Sequence, residues 1–264
     1  PALLVGLTFA RTLAWKLDKP LVGVDHMDGH VHSNWLSEGF TVESCKFPVL
    51  NLIVSGGHTD LVLMRDHGDY EIIGETLDDA VGEAFDKVGR LLDLAYPGGP
   101  KVSKLAAVGN PTAYDLPRPM LTSKNFDFSY SGLKTAVLYL IRDLTSGTRQ
   151  LTDTEKADIA ASFQEAAIDV LIQKTKRAAQ ELGVTSVLLS GGVSANTLLR
   201  ERLASMCSEI GIRCIVPEMK YTTDNAAMIA AAAYFAGKKD PSPSAWTWEN
   251  CQMDANLRLG HNTL

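Results

Sequence analysis

Val187-Leu-Leu-Ser-Gly-Gly-Val-Ser-Ala-Asn196 is the stretch on which the fold turns. A short β-branched and leucine run ends at paired glycines. Thr197-Leu-Leu-Arg-Glu-Arg-Leu203 then spaces its leucines as an amphipathic helix does, with Ser194 or Asn196 as the cap. Strand, Gly-Gly turn and helix N-terminus together aim backbone N–H groups at a phosphate or a nucleoside. The device also occurs earlier, in Val49-Leu-Asn-Leu-Ile-Val-Ser-Gly-Gly-His-Thr59. One glycine pair usually marks a turn and nothing more. Two pairs, each closing a hydrophobic strand, predict an α/β protein of two related lobes that each present a loop to one cleft.

Composition narrows the class. The chain has 264 residues, 45% hydrophobic and 21% charged, enough for one large or two medium domains. No apolar run is long enough for a transmembrane helix. The net charge of −6 argues against a stand-alone nucleic-acid binder, so a polynucleotide partner requires a local basic patch or a helper protein. Cys45, Cys207, Cys214 and Cys251 lack C-x-x-C spacing and read as thiols of a reducing compartment. The chain opens on Pro1 with no charged segment ahead of its apolar stretch, which is the pattern of a longer protein's remainder and not of a signal peptide.

In chain order, Leu3, Leu7, Ala10, Ala14 and Leu17 predict an amphipathic helix over 2–18, and Leu21-Val-Gly-Val24 a short buried strand. Asp25-His-Met-Asp-Gly-His-Val-His32 follows. On a helix, His26 and His30 share one face at i and i+4, close enough for one metal ion; the spacing alone equally suits a surface or capping pair. His32 points elsewhere. Met27 stands where a zincin has its general-base Glu, which disfavours a metalloprotease.

Val49–Ser55, Leu61–Arg65 and Tyr70–Gly74 alternate as a β-meander. Thr76 with Asp79 predicts a capping box for a helix to Leu92, its buried stripe running Leu77, Val81, Phe85, Val88, Leu92, with Asp79, Glu83, Asp86 and Lys87 off it. Tyr96-Pro-Gly-Gly-Pro100 reads as a rigid loop. Residues 109–130 form a long loop, whose Arg118 and Lys124, with Lys101, Lys104 and Lys134, are the best basic cluster of an acidic chain or ordinary surface cations. Thr152-Asp153 caps a long helix to Gly183, Ile212–Pro217 is a strand, and Thr222–Met228 opens an alanine-rich helix ending at Gly237 with Asp224 as its ordinary cap. Beyond Lys238, Pro241, Pro243, Trp246 and Trp248 suggest a loose tail pinned by tryptophans.

Taken together, His26-Met-Asp-Gly-His30, Ile53-Val-Ser-Gly-Gly-His-Thr59, Gly74-Glu-Thr-Leu-Asp-Asp-Ala-Val-Gly-Glu-Ala-Phe-Asp-Lys87, Tyr96-Pro-Gly-Gly-Pro100, Phe128-Ser-Tyr-Ser-Gly-Leu-Lys134, Gly191-Gly-Val-Ser-Ala-Asn196 and Thr222-Thr-Asp-Asn-Ala-Ala-Met228 resemble the tRNA threonylcarbamoyltransferase family. That family comprises bacterial TsaD, its mitochondrial relatives and the catalytic subunit of KEOPS, and the bacterial or mitochondrial branch is the nearer. The resemblance implies an actin-like, sugar kinase-like (ASKHA) fold of two lobes with RNase H-like cores, the first lobe incomplete. Residues 1–47 and 225–264 would be the remainder of the N-terminal lobe, and 48–224 the C-terminal lobe. The family's N-terminal phosphate loop is absent from this chain, so full activity is not expected of the chain alone.

The implied activity is transfer of a threonylcarbamoyl group from threonylcarbamoyl-adenylate to the exocyclic amine of the adenosine 3′ of the anticodon in tRNAs reading ANN codons. By the same resemblance His26, His30 and Asp224 are the catalytic metal ligands, a set suited to Fe(II) or Zn(II). Ile53, Val54, Ser55, Gly56 and Gly57 form the substrate-binding strand and loop, and Asp86, Gly99 and Asn196 the remaining contacts to threonylcarbamoyl-AMP, ATP or ADP. The implied partners are tRNA and TsaB- and TsaE-like proteins, or a second copy in a mitochondrial-type enzyme, in the cytoplasm or the mitochondrial matrix. Two alternatives share the fold: a non-catalytic scaffold, which need not keep the metal set, and a small-molecule kinase, which needs a catalytic Asp and no histidine pair.

Overall fold

A computed structural model of the chain describes residues 2–38, 45–146, 149–239, 247–255 and 257–260. The strands are β1 (Val49–Val54), β2 (Thr59–Asp66), β3 (Asp69–Glu75), β4 (Ser186–Ser190) and β5 (Arg213–Ile215). They form one sheet in the order β3-β2-β1-β4-β5. The β1–β2–β3 meander is antiparallel, and β4 and β5 add in parallel to β1. The helices are α1 (Ala2–Leu17), α2 (His26–His32), α3 (Val81–Leu91), α4 (Gly98–Ala106), α5 (Ser131–Thr145), α6 (Asp153–Leu182), α7 (Thr197–Glu209) and α8 (Ala226–Lys239).

The register corrects the two-lobe reading of the glycine pairs. Ile53 lies opposite Ser190 in the parallel β1–β4 pair, so Ser55-Gly56-Gly57 and Gly191-Gly192 leave the same end of two adjacent strands of one sheet. Strands with a period of two bury both faces here. Leu50, Leu52, Val54, Leu61, Leu63, Val187 and Leu189 point into a large apolar core shared with α3, α6 and α7. Val49, Ile53, Val62, Met64 and Leu188 point into a smaller one with Met27, Val31, Trp35 and Phe235, which lie in and around α2 and α8.

The long helix α6 follows its sequence closely. Thr152 and Glu155 form the reciprocal capping box, and Gly183 ends the helix at φ +61°. Other expectations fail for physical reasons. Residues 21–24 form no strand, because no other described strand pairs with them. Thr76 does hydrogen-bond to the Asp79 carbonyl, but this closes a turn; α3 starts at Val81, which leaves Leu77 exposed. Tyr96–Pro100 is no free loop, because Gly98 opens α4. Helix α1 forms as read, yet among its residues only Ala14 is buried, and Leu3 and Leu17 are exposed. Of the tail, Pro241, Pro243 and Trp246 lie outside the described residues. No described helix is long and apolar enough to cross a membrane.

Candidate metal centre

Asp25 starts α2 by accepting the Met27 N–H at 2.7 Å, and so fixes the helical phase of His26 and His30. Gly29, which weakens a lone helix, is needed here for packing: a side-chain carbon at that position would meet Ile229 at 2.9 Å and Met228 at 3.3 Å. Helix α8 therefore approaches the backbone of α2 directly, which brings the start of α8 to the two imidazoles. The cap of α8 is Asn225, whose side-chain oxygen accepts the Met228 N–H at 2.9 Å. Asp224 is thereby freed from the capping role its position suggested.

Its carboxylate oxygen lies 3.1 Å from Nε2 of His30 and 3.4 Å from Nε2 of His26. The two rings meet edge to face with centroids 4.8 Å apart. One ligand atom from each residue falls within 4.8 Å of the others. The donor set fits a divalent ion: two imidazole nitrogens, one carboxylate oxygen and an open side, since Asp224 and His26 face solvent and His30 is buried. Burial, and next the neighbouring His26, lower the His30 pKa against the opposing pull of Asp224. A neutral imidazole is the form that binds metal. Nδ1 of His30 is buried and meets no partner among the described residues.

The glycine loops sit beside this set. A side-chain carbon on Gly191, at φ +87°, would collide with the Val54 carbonyl, so this glycine lets the two loops touch. The same carbon on Gly56, Gly57 or Gly192 would meet nothing within 4 Å, so these face open space. The Gly82 N–H donates to the Ser55 carbonyl at 3.2 Å, joining the first loop to α3. One turn on, Asp86 Oδ1 accepts the Gly98 and Gly99 N–H groups at 2.8 and 3.1 Å and anchors the start of α4. Asn196, not Ser194, caps α7 by accepting the Leu199 N–H; its amide nitrogen donates to Ser103 and Gln164. Asp86 and Asn196 thus hold α4 from two sides, with Gly99 in its first turn, and much of their hydrogen bonding is spent on the fold. Ile53 and Val54 are buried strand residues and offer the site only backbone.

His58 is a site neighbour that the sequence motif gives no role. It closes the β1–β2 turn by donating its N–H to Ser55 Oγ at 3.0 Å, and it acts electrostatically on His30 and feels His26. Desolvation chiefly lowers its pKa, with His26 adding to the shift. Its position between the glycine loop and the histidine pair was the available signal.

The basic cluster is smaller than the sequence suggested. Arg118 pairs with Asp169 at 3.0 Å and Lys134 with Asp79 at 3.5 Å. Lys101, Lys104 and Lys124 remain exposed.

The sheet order and the loops that leave it are those of an α/β protein of the actin-like, sugar kinase-like type. Solved structures agree on the fold. Full-length HypF, crystallised in a phosphate- and nucleotide-bound form, superposes at TM-score 0.63 with 17% identity, over 89% of this chain and 38% of its own. HypF of T. kodakarensis does so at 0.60, again with 17% identity, over 87% and 38%. The family model described as TsaD, tRNA N6-adenosine threonylcarbamoyltransferase, matches residues 1–231. Proteins of that name are 46% identical in Thermosipho africanus over 90% of this chain, 52% in Symbiobacterium thermophilum over 88%, and 50% in Ralstonia pickettii over 91%. This chain covers 69%, 66% and 68% of their respective lengths. The chain belongs to the tRNA N6-adenosine threonylcarbamoyltransferase family, transferases of tRNA modification.

Proposed function

We propose that this chain is the part of a threonylcarbamoyltransferase that holds the metal and the adenylate. The whole protein would move a threonylcarbamoyl group from threonylcarbamoyl-AMP to the exocyclic amine of the adenosine 3′ of the anticodon in tRNAs reading ANN codons. The observation that carries the reading is the meeting of His26, His30 and Asp224 beside two touching glycine loops. A divalent ion held there, Fe(II) or Zn(II), would supply Lewis-acid polarisation of the donor's carbonyl or carboxylate.

The protein's own part is positioning. Backbone groups of Gly56, Gly57 and Gly192 border open space and, seated by Ser55 and Gly191, suit a phosphate or ribose. Asp86, through Gly98 and Gly99, sets the start of α4 as the wall on the nucleotide side, and Asn196 braces that wall from behind. AMP is a good leaving group and the acceptor amine a weak nucleophile, so geometry and donor activation carry the reaction and no nucleophilic side chain is needed. Lys101, Lys104 and Lys124 are the cations left to meet tRNA phosphates. We assign residues 1–47 and 225–264 to the N-terminal lobe and 48–224 to the C-terminal lobe. TsaB- and TsaE-like partners, or a second copy in an organellar enzyme, would complete the assembly in the cytoplasm or the mitochondrial matrix.

The test is His30→Ala in the full-length protein. Transfer to tRNA and stoichiometric metal are expected to be lost, while adenylate binding persists. Transfer at the wild-type rate without bound metal contradicts the reading.

A further inference from the structure

His67 lies in the β2–β3 turn, far in sequence from the candidate metal ligands. His32 shares α2 with the two histidine ligands but points into the protein and is buried. Its Nδ1 lies 2.9 Å from Asp28 Oδ1, and its Nε2 lies 3.0 Å from Nδ1 of His67. The Tyr70 hydroxyl donates to the same Asp28 oxygen. Burial, and next the charge of Asp28, push the Tyr70 pKa well above its usual value, so the hydroxyl stays a donor. These contacts are met when His67 Nδ1–H donates to His32 Nε2 and His32 Nδ1–H donates to Asp28, which also accepts from Tyr70.

The other end of this chain is α8. The His67 ring stacks on Phe235 with centroids 3.8 Å apart and 14° between planes, and His32 stacks on Phe235 at 4.5 Å. Lys239, at the end of α8, donates to the Gly68 carbonyl in the same turn. His67 therefore touches both the helix that carries His26 and His30 and the helix that begins after Asp224.

We propose that His67 is a positioning residue for the metal centre, setting the register between α2 and α8 through its hydrogen bond to His32. The inference rests on the metal reading above. Ligands held in register by buried hydrogen bonds lose less freedom on binding; removing a partner bonded directly to a ligand costs roughly 10–100-fold, and His67 acts one hydrogen bond further out, which sets the low end of that range as the expectation.

The experiment is competition for Zn(II) against a chromogenic chelator, with thermal midpoints of the metal-free proteins measured alongside. His67→Phe keeps an aromatic ring against Phe235 and removes the hydrogen bond; it is expected to bind Zn(II) roughly 10-fold more weakly. His67→Asn keeps a hydrogen-bonding group near His32 and is expected to recover most of that loss, with no matching order in the thermal midpoints. Wild-type affinity in His67→Phe, or no recovery in His67→Asn, overturns the proposal. Should His67→Phe fail to fold, His67→Leu decides: it also removes the hydrogen bond to His32, is expected to weaken Zn(II) binding several-fold, and overturns the proposal if it binds as wild type. A wild-type protein without stoichiometric Zn(II) would overturn the metal reading itself, whereas tight wild-type binding with unaffected variants would overturn this inference alone.

Discussion

The two faces of the sheet are built differently. On one face, α3, α6 and α7 seal a continuous apolar core in which Phe85 and Phe163 meet edge to face. On the other, α2 and α8 cover a smaller core that contains His32 and, among buried polar side chains, Asn34 and Asn51. The first face carries the larger apolar core, and the buried polar side chains of α6, among them Ser162, Gln164 and Lys174, lie within it. The second face has the smaller core and places the three candidate metal ligands at its rim. Most of the cohesion and the candidate metal centre thus lie on opposite sides of the same strands, and substitutions on the two sides should separate folding stability from metal binding.

The largest expected separation is between Asp224→Ala and Phe163→Ala. The first should cost transfer several kcal/mol of transition-state stabilisation, roughly a 1000-fold loss, with a thermal midpoint close to wild type because Asp224 is exposed. The second should cost about 3–5 kcal/mol of folding stability by emptying the core, while the protein that remains folded binds Zn(II) normally. A destabilised Asp224→Ala, or a Phe163→Ala that folds normally without metal affinity, would break the division.

Gly191→Ala probes the seam where the two glycine loops touch. A positive φ and a clash with the Val54 carbonyl act together, so a loss of about 1–3 kcal/mol in chemical denaturation is expected. Adenylate affinity should fall as well, if the seam sets the nucleotide loops.

The smallest effect concerns a buried cation on the side of the larger core. Lys174 of α6 is buried and donates to Ser123 and the Asn125 carbonyl. Burial, and next Arg177, lower its pKa to about 8 from 10.5. Between those two values the unfolded chain holds more protons than the folded one, so this group makes stability rise with pH over that window. Lys174→Met should flatten that rise in denaturation curves taken across it. An unchanged slope would mean that Lys174 does not titrate as its burial requires.

What the sequence revealed was mostly local. The spacing of His26 and His30, the capping box of Thr152 and Glu155, and the alternation in residues 49–75 all survive because neighbouring residues decide them. The errors arise where distant residues decide. Paired glycines were read as two lobes because nothing in their spacing reveals that β4 lies beside β1. Asp224 was read as a cap because the competing role of Asn225 depends on one residue of phase. Arg118 and Lys134 were counted as a basic patch because Asp169 and Asp79 reach them only in the fold. Asp224 as a ligand came from family resemblance, since nothing local links it to α2. His67 was invisible: a histidine in a hairpin turn reads as surface until Phe235 is seen stacked on it.

The central claim is that three side chains from α2 and the start of α8 hold one divalent ion. Its most direct test is anomalous diffraction at the zinc edge from crystals grown with Zn(II). The account predicts a single strong peak about 2.0–2.2 Å from ligand atoms of His26, His30 and Asp224. A peak elsewhere, or three well-ordered side chains with no peak between them at saturating Zn(II), would contradict it.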